Sequence, residues 1–279
     1  MTVACNEGAV AAESIATGIS RQRLFSGHGV VVDRLKLAAG ATLKLEAKGK
    51  SLFWLQVLDG DGTLKTPYAT ERLTSAPDDR QALYNTHSTC LPAGFPGAFS
   101  TVNGLTLLCV EVTEAGVPDA NGPHFSNIDW TLEDVMQSGR DDRKRIEVFG
   151  QGLCGSRALK ADVVLYPADA ASGEAYHEGA ASFVYVFSGE GTATAAGKTY
   201  PLRPGELLYF SESEPHVLKA GKGELRFLEF YVPGEFNTVW TNPSETTVWR
   251  KTGRNISGGL TMSDEKERWA YRRGAWGRL

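Results

Sequence analysis

The sequence predicts an all-β protein of two tandem barrels, and three observations predict it. The chain is a succession of short alternating or apolar runs of strand length. Glycines, 31 in all, punctuate these runs at turns, where a positive φ is needed. The second half repeats the first: Val57-Leu58-Asp59-Gly60-Asp61-Gly62-Thr63 is matched by Val186-Phe187-Ser188-Gly189-Glu190-Gly191-Thr192, and Leu91 to Gly97 falls where Phe210 to His216 falls later. Duplication at domain scale implies two barrels, each closing its own sheet.

In chain order, residues 1–26 form an N-terminal arm and residues 27–120 the first barrel. Its strands are expected at Val30–Leu37, Thr42–Ala47, Leu52–Leu58 and Leu105–Val112. Residues 121–157 read as a linker, in which Thr131 is placed to cap a short helix and Arg140-Asp141-Asp142-Arg143-Lys144-Arg145 as a solvated charged face. The second barrel spans 158–250, with strands at Ala161–Tyr166, Ser182–Phe187, Glu206–Ser211 and Glu224–Val232. The tail, 251–279, interleaves Arg268, Arg272, Arg273 and Arg278 with Trp269, Tyr271 and Trp276, a pattern expected to pack on the body or on a partner subunit.

Composition narrows the function. The chain has 279 residues, 42% hydrophobic and 22% charged, with a net charge of −4, so no global basic field gathers nucleic acid or anionic lipid. Cys5, Cys90, Cys109 and Cys154 are too widely spaced for a zinc knuckle or a dense disulfide framework. Asn6, Glu7 and Glu13 interrupt any apolar leader, and no run approaches the roughly 20 apolar residues of a membrane span. A cytoplasmic protein with a small-molecule substrate is expected, with neither nucleic acid nor membrane as partner.

Two stretches carry the candidate chemistry. One is Tyr176-His177-Glu178 followed by Ser182 to Gly191; the other is Pro204-Gly205-Glu206 leading to Glu214-Pro215-His216. Together they resemble the cupin family, whose first motif is Gly-x5-His-x-His-x3-4-Glu-x6-Gly and whose second is Gly-x5-Pro-x-Gly-x2-His-x3-Asn. The family places three histidines and a glutamate around one metal. The resemblance implies a bicupin: two RmlC-like jelly-roll barrels with a short helical linker, and a divalent metal (Fe, Mn, Ni or Zn) in the second.

His216 matches the histidine of the second motif, while Ser182 stands in the glutamate slot of the first. With a four-residue spacer His177 takes the second histidine slot and Ala175 the first; with a three-residue spacer Glu178 and Tyr176 take them. Neighbours on a strand face opposite ways, so His177 and Glu178 share the cavity only if the strand is irregular, and Gly173 and Gly179 permit that. The expected metal ligands are therefore His177, His216 and either Glu178 or Glu174, a two-histidine, one-carboxylate set. Tyr176 is the expected substrate-orienting group, and Glu178 an alternative proton-transfer base. In the first barrel Phe53 takes the glutamate slot, Ala47 and Gly49 the likeliest histidine slots and Gly97 the last, none offering a lone pair, so that barrel is expected to be metal-free.

The implied activity is metal-dependent small-molecule chemistry, either oxidoreductase of the dioxygenase type or isomerase/hydrolase. Bicupins include dioxygenases, sugar isomerases, oxalate decarboxylases and ureidoglycine aminohydrolase; the oxalate decarboxylase reading fits least, since that group keeps its ligands in both barrels. Two other readings stand beside it: a metal-free epimerase-like enzyme with His177 or His216 as general base, and a non-catalytic metabolite-binding or sensor bicupin. A homodimer is expected through sheet faces and an exchanged N-terminal segment, Val10 to Phe25.

Overall fold

The computed structural model describes residues 1–75, 86–116, 119 and 121–261, so most of the aromatic and arginine-rich tail lies outside the described residues. The regular structure of the described residues is almost all antiparallel sheet, and every expected strand is present: Val30–Leu37, Thr42–Glu46, Leu52–Lys65 and Leu105–Val112 in the first half, Lys160–Tyr166, Ala181–Ser188, Glu206–Phe210 and Leu225–Val232 in the second. No helix among the described residues is long and apolar enough to cross a membrane. The four cysteines are free thiols, three of them buried.

Two compact units result. One is built on Ala11–Asp134 with Gln151–Ser156 and the segment from Gly253; the other on Met1–Val10, Val135–Gly150 and Arg157–Thr252. The segment 121–157 is thus shared out between them. Ser126–Asp129 pairs with His87–Leu91 in the first unit, while Val135–Ser138 and Lys144–Phe149 join a sheet of the second, because Ile146, Val148 and Phe149 are apolar residues that the sheet buries. The helix expected at Thr131 is a single 3₁₀ turn, Trp130–Leu132, and its cap is Asp129, whose carboxylate accepts the Thr131 N–H. Arg143, read as solvated, is buried: it donates to Asp141, to the Tyr166 hydroxyl and to Thr247. The N-terminal arm divides as well. Val3–Asn6 pairs with Glu206–Phe210, while Glu13–Ala16 pairs with Ile19–Gly27.

In the second unit an eight-stranded and a five-stranded sheet enclose one apolar core. The larger sheet contributes Val164, Val184, Val186, Leu208, Phe210, Leu225 and Phe227; the smaller contributes Ala193, Ala195, Leu202, Leu218 and Ala220. Small residues on one side and large ones on the other let the two faces interdigitate.

The internal repeat is geometric as well as sequential. Leu58 is skipped where Leu52–Lys65 meets Leu105–Val112, and Phe187 is skipped where Ala181–Ser188 meets Leu225–Val232, one bulged residue at the same repeat position. Two residues after the bulge stand Gly60 (φ 82°) and Gly189 (φ 83°). A Cβ on Gly60 would lie 2.2 Å from the Gly104 carbonyl oxygen, and one on Gly189 would lie 2.0 Å from that of Glu224. Both turns need a left-handed residue with no side chain, since the next strand's backbone fills that space. Gly60→Ala and Gly189→Ala should each destabilise the fold by roughly 2–4 kcal/mol, left-handed strain adding to overpacking. Denaturant unfolding checks this, with Gly197→Ala, a positive-φ turn with no neighbour within 4 Å, as the control expected to cost less.

Candidate metal centre

The strand Ala175–Glu178 pairs with His216–Ala220, Ala175 lying opposite His216, and on its other side with Asn237–Trp240. Alternation puts Ala175 and His177 on the buried face and leaves Glu178 exposed. The four-residue spacer therefore describes this barrel: His177 and Ala175 occupy the two histidine slots. Ser182 sits on the inward face of its strand, in register with Tyr231. By the same pairing rule the first unit aligns Leu45 with Gly97, so its histidine slots hold Leu45 and Ala47 rather than Ala47 and Gly49. There Leu45, Phe53 and Gly97 line a cleft of about 610 Å³.

The interior face of the larger sheet changes character along the barrel. Val164, Phe227 and Val186 form an apolar row across three strands. The next row toward one end is Asp162, Glu229 and Val184, and the one after it Lys160, Tyr231 and Ser182. Glu229 enters the cavity because it lies two residues from Phe227, on the same face of Leu225–Val232.

His177, His216 and Glu229 converge. Their donor atoms lie within 4.8 Å of one another, the one such group among the described residues. Donor atoms bonded to one ion at about 2.1 Å stand roughly 3.0–3.4 Å apart at octahedral or tetrahedral angles, so the three side chains close on an ion by drawing inward from this spacing. The imidazole centroids are 5.3 Å apart. Each ring is oriented from outside the cluster. His216 Nδ1 donates to the Glu214 carbonyl at 2.9 Å, and its ring stacks on Phe210 at 4.3 Å. His177 Nδ1 lies 3.2 Å from the Thr238 hydroxyl, with Tyr231 and Phe236 edge-on to the ring. Donation from Nδ1 leaves His216 Nε2 with the free lone pair, and His177 is set the same way when its Nδ1 donates to the Thr238 hydroxyl, the arrangement that outer-shell hydrogen bonds impose on metal-binding histidines. Glu214 is itself fixed: its carboxylate accepts from the backbone N–H (3.0 Å) and hydroxyl (2.7 Å) of Thr2, in the segment that leads into Val3–Asn6.

Electrostatics fit the same use. Burial, with His216 and Lys160 adding to it, lowers the His177 pKa to about 3, and burial lowers that of His216 too, so both rings are neutral with lone pairs available. Burial raises the Glu229 carboxyl to about 7; Asp162 pushes the same way, while a hydrogen bond from Tyr231 and the charges of Arg145 and Lys160 oppose it. The residues fit a divalent ion: two neutral imidazoles and one carboxylate that a cation would strip of its proton.

Of the other expected site residues, Glu178 is exposed on the wall of a neighbouring cleft, because the strand is regular and its side chain faces away from His177. Glu174 is exposed and accepts from the Thr241 hydroxyl at 2.8 Å. Tyr176 is half-buried on the face opposite His177, in register with Val239. Glu229 lies outside both motif segments; its one sequence signal is a lone acid at an inward position of the aromatic strand Leu225–Val232.

Residues 162–231, which contain all three donors, match the family model described as Cupin domain. A search of curated proteins returns no match. Among solved structures the chain is similar to a variant of Bacillus subtilis oxalate decarboxylase (TM-score 0.67, 13% identity, 85% of this chain and 79% of that one). It is similar to another structure of that enzyme, described by its Mn(II) centres (TM-score 0.66, 13% identity, 85% and 79%). It is also similar to protein Ylba from E. coli (TM-score 0.67, 10% identity, 84% and 91%). Identities this low establish a common fold.

The displaced carboxyl makes a signed prediction for metal-free protein. Glu229 has its folded-state pKa raised, so its contribution is present at low pH and is lost as pH rises from about 4.5 through about 7. Glu229→Gln should raise the thermal midpoint at pH 8 and leave it nearly unchanged at pH 5. His177, with its folded pKa depressed, acts oppositely: stability falls as pH drops from about 6.5 toward 3, and His177→Asn should flatten that limb.

Proposed function

We propose that this two-barrel member of the cupin superfamily is a metal-dependent enzyme that acts on a small molecule in its second barrel, with His177, His216 and Glu229 as the protein's ligands. The observation that carries the reading is the convergence of three donor atoms within 4.8 Å, both imidazoles being held at Nδ1 from outside. A two-histidine, one-carboxylate set suits Fe(II) or Mn(II) and leaves coordination positions open. Mn(II) is also the metal named for the similar oxalate decarboxylase structure.

A bound ion would supply a Lewis acid that polarises a substrate carbonyl or hydroxyl. The chain's own residues supply the rest. Phe210, Phe236 and Tyr231 pack around the imidazoles and exclude water from them. The Tyr231 hydroxyl lies near Glu229 on the same strand face and holds its carboxyl down against the effect of burial. The Tyr231 hydroxyl, its own pKa pushed well up by burial and by Glu229, stays protonated and is the proton-carrying group next to the donors. If the ion is dispensable, the proton carrier is Glu229, whose pKa lies near neutrality, rather than either histidine; solvent deuterium entering substrate with metal-stripped protein would mark that reading.

Metal analysis tests the proposal. Protein supplied with Mn(II) or Fe(II) should retain about one ion per chain. His177→Ala and His216→Ala should abolish retention, whereas Glu178→Gln and Glu174→Gln should leave it intact. Affinity should rise with pH across about 7, because Glu229 has to release its proton. Retention in both histidine variants, or none in the wild type, would overturn the reading.

A further inference from the structure

Beside the three donors stands a charge arrangement that they do not use. Asp162 lies directly opposite Glu229 and is fully buried, yet neither of its carboxylate oxygens receives a hydrogen bond. Two cations flank it, Arg145 Nη1 at 3.8 Å and Lys160 Nζ at 3.9 Å. These separations give Coulombic attraction but exceed hydrogen-bond length. Asp162 thus attracts both cations without saturating the N–H groups of either, and Arg145 Nε is buried with no hydrogen-bond partner.

Both cations are held in place by apolar surroundings. The guanidinium carbon of Arg145 is 5.1 Å from the Trp249 ring centroid, and Lys160 Nζ is 6.0 Å from that of Phe236. Both line a cleft of about 740 Å³ together with Tyr231, the residue that packs on His177. The acids of the same cleft sit at its rim: Glu178 is exposed, and Glu235, with 59% of its side chain exposed, pairs with Arg157 at 3.3 Å. The side chains of Arg145 and Lys160 are only 22% and 24% exposed. Sequestered charge in this cleft is positive, and solvated charge is negative.

From this we infer that the cleft binds the carboxylate end of a small organic monoanion, clamped between Arg145 and Lys160, with the rest of the molecule directed past Tyr231 toward His177, His216 and Glu229. The direction of the reacting end rests on the metal-site reading; the clamp does not. The guanidinium fork matches two coplanar oxygens, and Lys160 adds a point charge from the next strand. Asp162, Glu229 and Glu147 all act on the charge of Arg145, so the cleft already holds acids beside its cations and takes a singly charged carboxylate more readily than a multiply charged anion. A phosphate dianion would keep an uncompensated charge beside Asp162 and Glu229, and is disfavoured.

Calorimetric titration of glycolate, with inorganic phosphate as a second probe, tests the inference on protein whose metal content is measured in the same sample. Glycolate should bind saturably and more tightly than phosphate. Arg145→Gln and Lys160→Gln should each weaken glycolate about tenfold or more, Arg145→Lys less so, with metal per chain unchanged in all three. If Arg145→Gln does not fold, Lys160→Gln decides alone. Absence of glycolate binding, unchanged affinity in the variants, or tighter binding of phosphate would overturn the clamp. Wild type that binds glycolate through Arg145 but retains no metal would instead sink the metal reading and leave the clamp standing. Metal retention with glycolate binding indifferent to both cations would do the reverse.

Discussion

The register of the strand Leu225–Val232 decides what the second barrel contains. It is paired on both sides, with Lys160–Tyr166 and with Ala181–Ser188, and a slip of one residue would turn every side chain to the other face. As built, Leu225 and Phe227 enter the apolar core, and Glu229 and Tyr231 continue the same face into the polar end. The residues that anchor the strand and those that give it a chemical role are therefore a single alternating series. The bulge at Phe187 and the glycine two residues beyond it hold that register from the neighbouring strand.

Much of this architecture is legible in the sequence, because strand periodicity and glycine turns are local signals. Val30–Leu37 and Leu105–Val112 coincide with their expected limits, and the repeat of the glycine turn marks the same backbone approach in both halves. The motif spacing leads to His177 and His216, which the structure places 5.3 Å apart by ring centroid. It does not lead to Glu229. The family's carboxylate belongs to the strand that here carries Ser182, whereas the carboxylate of this chain stands on the adjacent strand, near it only through pairing. Arg143 and Arg145 are hidden for a related reason: six consecutive polar residues read as solvated, whereas Arg143 is buried by its bonds to Asp141, Tyr166 and Thr247 and sheet pairing sets Arg145 opposite Val164.

The two halves show how far scaffold and chemistry separate. Both keep the bulge and the close-packed glycine, which closing a barrel requires. At the positions of His177, Ser182 and His216 the first unit carries Ala47, Phe53 and Gly97, and its neighbouring residues fill the interior with leucine and phenylalanine. None of these side chains forms the bulge or the close glycine contact, so the two halves share their closure and differ in their interior chemistry, although Gly97 is itself confined, a Cβ there lying 3.0 Å from Leu64. In the second unit the carboxylate stands on Leu225–Val232, next to the strand that carries Ser182.

Glu214 ties together two parts of the second unit that are far apart in sequence. Its carboxylate accepts from Thr2 at one oxygen and from the Ser211 N–H and hydroxyl at the other, and its backbone carbonyl receives the Nδ1 proton of His216. Peeling of the first strand from the sheet edge would remove the Thr2 bonds and leave those of Ser211. Order at the sheet edge and order in the turn that leads into His216 therefore meet in one side chain, so the first strand and the imidazole segment share a common anchor.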